Sequence, residues 1–477
     1  MSKFNNHSPS IKTVNHEGHV AYSMAPKAKL VTQVLTSFFN EKKFYGDNSE
    51  EIKQTILEVV KTDPEFVSKL AVFARREFNM RSIAHVLTAY LAHEMEGKPY
   101  VRETVRGITL RGDDVTELMA FYLNEFGKPI PNSLKKGIGD AMKGFDEYPL
   151  AKYKGDSKGV KMRDLLCLCR PKPINKDQEA LWKRCLEGKL ETPMTWETEL
   201  SAKGNTKEVW EELIASRRVG YMAMLRNLRN ILNVNPDNLD QALNYISNPN
   251  AVKNSKQLPF RFLSAYKSVQ GIGSSKVLDA LEDAVDISVD NLPKIPGKTV
   301  IAIDVSGSMT YGSISGKSDI RPVDIAIMLG VIANRICEDA IIYLFDTDIY
   351  PGTISKRGGI LNTVTSYRPN GGGTYMELPF LEMMRKNVQA DRVIILSDNE
   401  CNSSWRRPVQ VLADKYRRES GNDIWVHAID LEGYGTQQFH GSKTNVISGW
   451  SEKVFDFILL AEQGEGTLEK KIADYTW

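Results

Sequence analysis

Only five cysteines occur in 477 residues: Cys167, Cys169, Cys185, Cys337 and Cys401. An odd, sparse set without framework spacing argues against a disulfide scaffold and fits the reducing cytoplasm. Cys167 and Cys169 have no second Cys or His pair at zinc spacing, so they are expected to be core or half-exposed thiols. No run of about 18 apolar residues is present, which argues against a helical membrane span. The first twenty residues lack the apolar core of a secretory leader, and none is expected. An acid/base pair, a nucleophile constellation and a two-metal cluster are also missing, so a binding protein is expected rather than an enzyme. His85 and His93 lie on apolar helical stretches and read as packed or capping. The aromatic residues form no clear array for stacking bases.

What is present divides in two. The net charge of +2 hides an asymmetry: residues 1–300 carry 44 Lys+Arg against 37 Asp+Glu, and the remainder carries 18 against 23. Nearly all the positive excess lies in residues 151–190, with 11 Lys+Arg against 5 Asp+Glu. A polyanion partner is one reading of that window, and a solvated lysine-rich loop is the other. Residues 1–27 are expected to form a loosely attached arm. From about 28 the apolar period is helical. "KLVTQVLTSFFNE" places Leu30, Val31, Val34, Leu35, Phe38 and Phe39 on one stripe. "DPEFVSKLAVFARREF" opens with Asp63 as cap and Pro64 at the first helical position. Short turns between such stretches, and no strand alternation before residue 298, point to stacked helix pairs over 28–295. "NLPKIPGK", 291–298, reads as a linker.

Over 296–477 buried apolar runs alternate with helical ones, which describes a doubly wound, mainly parallel α/β sheet. The whole is therefore a multidomain α and α/β chain. Ligands of such sheets gather at the carboxyl ends of the strands. There "IAIDVSGSM" supplies Asp304, Ser306 and Ser308, "NGGGTYME" supplies Thr374, and "DRVIILSDNE" ends on Asp398. Two carboxylates and three hydroxyls suit a hard divalent cation, with Mg²⁺ the expected ion and open positions left for water or a partner. The bland alternative is a strand-end turn whose serines cap the next helix.

Two look-alikes fail. In "YGSISGKSD" Tyr311 stands where a P-loop needs its first glycine, which leaves Gly316-Lys317-Ser318 in an exposed loop. "FDTDI" imitates a phosphatase motif, but Asp346 and Asp348 are expected to close a second strand at the surface.

The five oxygen-bearing residues are similar to the metal-ion-dependent adhesion site of von Willebrand factor A domains. With the helical array and the basic window they make the chain resemble the Ro autoantigen family, the TROVE-domain RNA-binding proteins, in its bacterial or phage-borne form. "GYMAMLRNLRNIL" is similar to the family's M-A-L-L-R-N-L-R-N helix. "KYKGDSKGVKMRDLLCLCRPKP" is similar to its K-Y-K element followed by K-D-L-L-R-L-x-H-x-K-P. The resemblance implies a HEAT-like helical ring closed by the von Willebrand-like domain. It implies Y RNA-like small RNAs on a basic outer surface and single-stranded 3′ ends of misfolded RNAs in a central hole. It further implies RNA quality control beside a 3′-exoribonuclease such as polynucleotide phosphorylase, and a monomer is expected. Lys152 and Lys154 match the K-Y-K element. Arg170 stands where the family often has a His that touches RNA, and Cys167 replaces a usual Arg.

Phosphates need a cluster of cations, here Lys152, Lys154, Lys158, Lys161, Arg163, Arg170 and Lys172. Arg226 and Arg229 are further RNA candidates, although ties between adjacent helices are the favoured reading for them. A metal-dependent protein-binding adaptor on a helical platform is the alternative function.

Overall fold

The computed structural model describes residues 12–15, 18–36, 49–153, 159–191, 193–290, 292–311, 319–402, 408–449, 452–463 and 468–477. Phe38, Phe39, Lys154, Lys158 and the Gly316-Lys317-Ser318 segment lie outside them. The chain forms two compact units.

One unit comprises Pro26–Met194 and Leu468–Trp477. Its helices follow the apolar stripes, including Ser49–Thr62, Pro64–Glu77, Ser82–His93 and Asp113–Phe126. Asp63 caps the second as its sequence requires, Oδ1 accepting from Phe66 N at 3.0 Å. Helix Pro64–Glu77 turns Phe66, Val67, Leu70 and Phe73 into the core. Ser68 and Thr104 hydroxyls meet at 2.7 Å where it crosses helix Val101–Ile108. A Cβ on Gly107 would fall 2.6 Å from Val72 Cγ2, so only glycine allows that approach. Asp114 is a buried polar node that accepts from Arg81 Nε at 2.6 Å and Arg75 Nη2 at 3.1 Å. Burial pushes its carboxyl up, but His85, its Nε2 3.3 Å from Oδ1, and both guanidinium charges outweigh this and hold it well below the usual range. His85 is therefore packed, as expected, and His93 stacks on Phe126 at 4.0 Å.

The final ten residues depart from the expected 296–477 sheet domain. Helix Leu468–Ala473 belongs to the helical unit. There Tyr475 hydroxyl donates to Glu77 Oε1 at 2.9 Å and Trp477 Nε1 to Ser68 Oγ at 2.6 Å.

The other unit comprises Met1–Ala25 and Thr195–Thr467. Helices between Trp196 and Val289 therefore group with the sheet, not with the first helices. Ion pairs are among the links: Lys267 Nζ lies 2.5 Å from Asp324 Oδ2, and Arg335 Nη1 lies 2.6 Å from Asp286 Oδ1.

The six-stranded sheet runs β5-β4-β3-β6-β7-β9. Its strands are β3 (Ile295–Asp304), β4 (Cys337–Phe345), β5 (Ile349–Pro351), β6 (Arg392–Ser397), β7 (Trp425–Asp430) and β9 (Thr444–Ser448). Only β5 is antiparallel to its neighbour. β3 begins inside the expected linker. Every residue of β6 is buried, as a parallel strand covered on both faces must be. Val300, Ala302, Val393 and Ile395 join Phe380, Leu412 and Tyr416 in one core cluster.

The N-terminal segment is not a loose arm in its described part. β1 (Lys12–Val14) and β2 (Val20–Ser23) form a hairpin, and β2 pairs with β8 (Thr436–Gln437). Each of these strands is too short for its alternation to stand out in the sequence. No helix is long and apolar enough to cross a membrane among the described residues.

Candidate cation and nucleic-acid sites

The five predicted oxygen ligands stand at the carboxyl end of the sheet. Asp304 closes β3 and Asp398 follows β6, its neighbour. Asp304, Ser306, Thr374 and Asp398 are each at most 3% exposed, whereas Ser308 is open to solvent. Asp304 Oδ1 accepts from Ser306 N at 2.9 Å, and the Ser306 and Ser308 hydroxyl oxygens are 3.2 Å apart. The Ser308 hydroxyl stands near enough to the Asp398 carboxylate to lower its pKa against the effect of burial. Gly307 N donates to Gly372 O at 2.7 Å, which brings the serine turn against the glycine loop that precedes Thr374.

Charge is the notable property of this site. Burial pushes the Asp304 carboxyl up to about 7, helped by the negative charge of Asp398, while hydrogen bonds from Ser306 and Ser397 oppose the shift. Burial likewise raises Asp398. Two buried like-charged carboxylates beside hydroxyl oxygens fit a divalent cation, whose charge offsets their repulsion. No group of three or more His, Cys, Asp or Glu able to hold a metal occurs among the described residues, so any cation held here would draw on the hydroxyls as well.

Sequence reading missed three supports. Ser397 Oγ donates to Asp304 Oδ2 at 2.6 Å. Asp346 is buried, not at the surface as expected. Its Oδ1 accepts from Asp348 N at 3.0 Å and its Oδ2 from Gly372 N at 3.2 Å, so it braces the glycine loop. Asp348 is exposed, as expected. Asp430 ends β7 fully buried, Oδ1 accepting from Gly433 N at 2.8 Å while Oδ2 has no hydrogen-bond partner among the described residues. Burial lifts its carboxyl to about 7. The available signal for Asp430 was an acid at the end of an apolar strand, the same signal that picked out Asp304 and Asp398.

The basic segment lies in the other unit. Helix Met162–Cys169 starts on Lys161, whose backbone N donates to Asp164 Oδ2 at 2.8 Å, and ends on Arg170 in the left-handed region at φ 47°. Arg163, Arg170 and Lys172 are exposed, and Lys161 is half-buried. Lys152 is half-buried too, its ammonium 3.2 Å from Tyr148 hydroxyl and 5.6 Å from the Tyr153 ring centre. Lys135, which sequence reading passed over, stands close enough to Cys169 to favour its thiolate, although burial dominates and pushes that thiol up to about 12. Cys167 is exposed and Cys169 half-buried, and all five cysteines are free thiols.

Arg226 and Arg229 belong to the unit that contains the sheet. Both are exposed on helix Tyr221–Val234. The favoured reading of them as ties between helices is not supported, because the amides beside them bond within their own helix. Asn227 Nδ2 donates to Ala223 O at 2.9 Å, and Asn230 Nδ2 to Asn227 Oδ1 at 3.2 Å.

Residues 27–188 and 182–277 match the TROVE domain, and residues 298–429 match the Ro60 vWA domain. The chain belongs to the TROVE family. Telomerase protein component 1 of Rattus norvegicus is a relative, 26% identical over 325 residues, which cover 50% of this chain and 12% of that protein. RNA-binding protein RO60 of Deinococcus radiodurans is 28% identical over 219 residues, 42% of this chain and 41% of that one. This TROVE chain thus spans well under half the length of these curated relatives. The crystal structure of the Deinococcus radiodurans RO (RSR) protein has the same fold, with a TM-score of 0.63 at 18% identity over 94% of this chain and 99% of that one. The expected helical-plus-von Willebrand architecture is therefore the observed one.

Proposed function

We propose that this TROVE protein is an RNA-binding scaffold. It holds Y RNA-like small noncoding RNAs on its basic segment and receives single-stranded 3′ ends of misfolded RNAs. It works in RNA quality control beside a 3′-exoribonuclease such as polynucleotide phosphorylase, as a cytoplasmic monomer that turns over no substrate itself. The observation that carries this reading is the set of exposed cations Arg163, Arg170 and Lys172 on and after one short helix, within the stretch that matches the TROVE domain. A relative bearing the name RNA-binding protein RO60 supports it. Such cations neutralise phosphates and position a backbone without reading bases. The planar guanidinium of Arg170 suits two phosphate oxygens at once.

Asp304, Ser306, Ser308, Thr374 and Asp398 would hold Mg²⁺, which when bound supplies a centre that an acidic ligand completes. The buried pair of carboxylates favours a second reading, a cation-dependent adaptor that grips an acidic protein ligand. Gel shifts separate the two. A structured RNA with a single-stranded 3′ tail is compared with its tailless form, across a salt series, for wild type and a variant lacking the charges of Lys152, Lys161, Arg163 and Arg170. Tail-dependent, salt-sensitive binding that falls in the variant is the expected result. No binding of either RNA at moderate salt sinks the scaffold and leaves the adaptor.

A further inference from the structure

The N-terminal hairpin has no part in the function above, yet it bonds to the segment that follows Asp398 and pairs with β8. β1 and β2 pair antiparallel, Lys12 opposite Tyr22 and Val14 opposite Val20. β2 continues onto β8, Tyr22 opposite Gln437 and Ser23 opposite Thr436. Asn15 organises the turn and is 4% exposed. Its N donates to His19 O at 2.8 Å, and its Oδ1 accepts from His19 N at 2.7 Å. Its amide Nδ2 donates to Cys401 O at 3.0 Å, a bond across 386 positions of sequence.

That carbonyl precedes Asn402, which clamps the ligand Thr374 from two sides. Asn402 Oδ1 accepts from Thr374 N at 2.6 Å, and Asn402 N donates to Thr374 O at 2.8 Å. A second route runs through β8. Asn399 Nδ2 donates to Thr436 O at 3.2 Å, and Gln438 Nε2 donates to Asn399 O at 3.1 Å. Asn399 follows the ligand Asp398 directly and stands in the left-handed region at φ 65°. Tyr22 meets His440 edge-on, ring centres 4.3 Å apart.

We propose that the N-terminal hairpin is a strap that positions Thr374 and Asp398 for the cation, with Asn15, Asn402 and Gln438 as its positioning residues. The proposal rests on the cation reading given above. β6 ends at Ser397, so residues 398–402 leave the sheet ladder, and side-chain bonds from Asn15 of the strap and Gln438 beside β8, with those of Asn399 and Asn402 themselves, take over the task of placing them. A cation site binds well only when such supports hold its ligands in place before the ion arrives.

The test is calorimetric titration of Mg²⁺ into the full chain, for wild type, Asn15→Asp, Gln438→Glu and the double variant. Each substitution keeps size and one acceptor but deletes the N–H donor. Melting in EDTA checks that each variant still unfolds cooperatively. Added negative charge near a cation site by itself strengthens binding, so weaker binding reports lost positioning. The expected loss is about threefold for each single variant and about tenfold for the pair. Affinities equal to wild type in all the variants that melt cooperatively overturn the strap alone. No Mg²⁺ uptake by wild type overturns the cation reading, and the strap with it.

Discussion

Ser397 Oγ donates to Asp304 Oδ2 at 2.6 Å, so the last residue of β6 fixes the carboxylate that ends β3. This bond occupies one oxygen and orients the other. Ser397→Ala leaves the ligand set complete but lowers Mg²⁺ affinity about tenfold, as loss of a support behind a metal ligand does. Isothermal titration reads the change, and an unaltered affinity shows the bond to be idle.

Asp304 and Asp398 repel one another without a cation. Asp398→Asn removes that repulsion. Its melting temperature in EDTA is expected above that of wild type, while Mg²⁺ no longer raises it. Wild type should gain about 2.7 kcal/mol when the free ion is a hundred times its dissociation constant. Scanning calorimetry with and without Mg²⁺ measures both, and a lower EDTA melting point for the variant contradicts the charge argument.

Arg170 carries a positive φ that favours glycine. Arg170→Gly therefore leaves folding stability the same or raises it by up to about 1 kcal/mol. RNA affinity should still fall, and the slope of log K against log salt should flatten by about 0.9 for each phosphate no longer neutralised. Paired urea melts and gel shifts give the two numbers, and unchanged RNA binding removes Arg170 from the interface.

Arg226 and Arg229 are exposed on one helix face. Replacing both with Gln is expected to change stability by no more than about 0.5 kcal/mol. A larger loss in a denaturant melt restores their reading as structural ties.

At the other end of the sheet, Arg392 binds Glu462 twice, at 2.6 and 2.9 Å, and His427 Nε2 lies 3.0 Å from the same carboxylate. Burial lowers the pKa of His427. Burial pushes the Glu462 carboxyl up, but His427 and Arg392 outweigh it and lower the net value. For both groups the unfolded chain takes up protons before the folded one does. Stability is therefore present above the ordinary His value and declines as pH falls below about 6.5, with Glu462 adding its loss below about 4.3. Replacing His427 with Gln should flatten the upper part of a melting-temperature profile against pH. Equal slopes for wild type and the His427→Gln variant between pH 7 and 5 refute the assignment.

Much of the architecture was legible because short-range physics carries it. The apolar stripes of Ser49–Thr62 and Pro64–Glu77 and the Asp63-Pro64 start announced their own helices. The buried runs that became β3 and β6 announced strands with an acid at or just past the end. Asp304, Ser306, Ser308, Thr374 and Asp398 could be gathered because a parallel sheet brings all its carboxyl ends to one edge. Tertiary structure decided the rest. Whether Asp346 is buried, whether Arg226 pairs, which helices join which unit, and where β1 and β2 dock all depend on contacts between residues far apart in sequence. The bond from Asn15 to Cys401 is of that kind: its energy depends on distance in space, and no periodicity or local spacing records it.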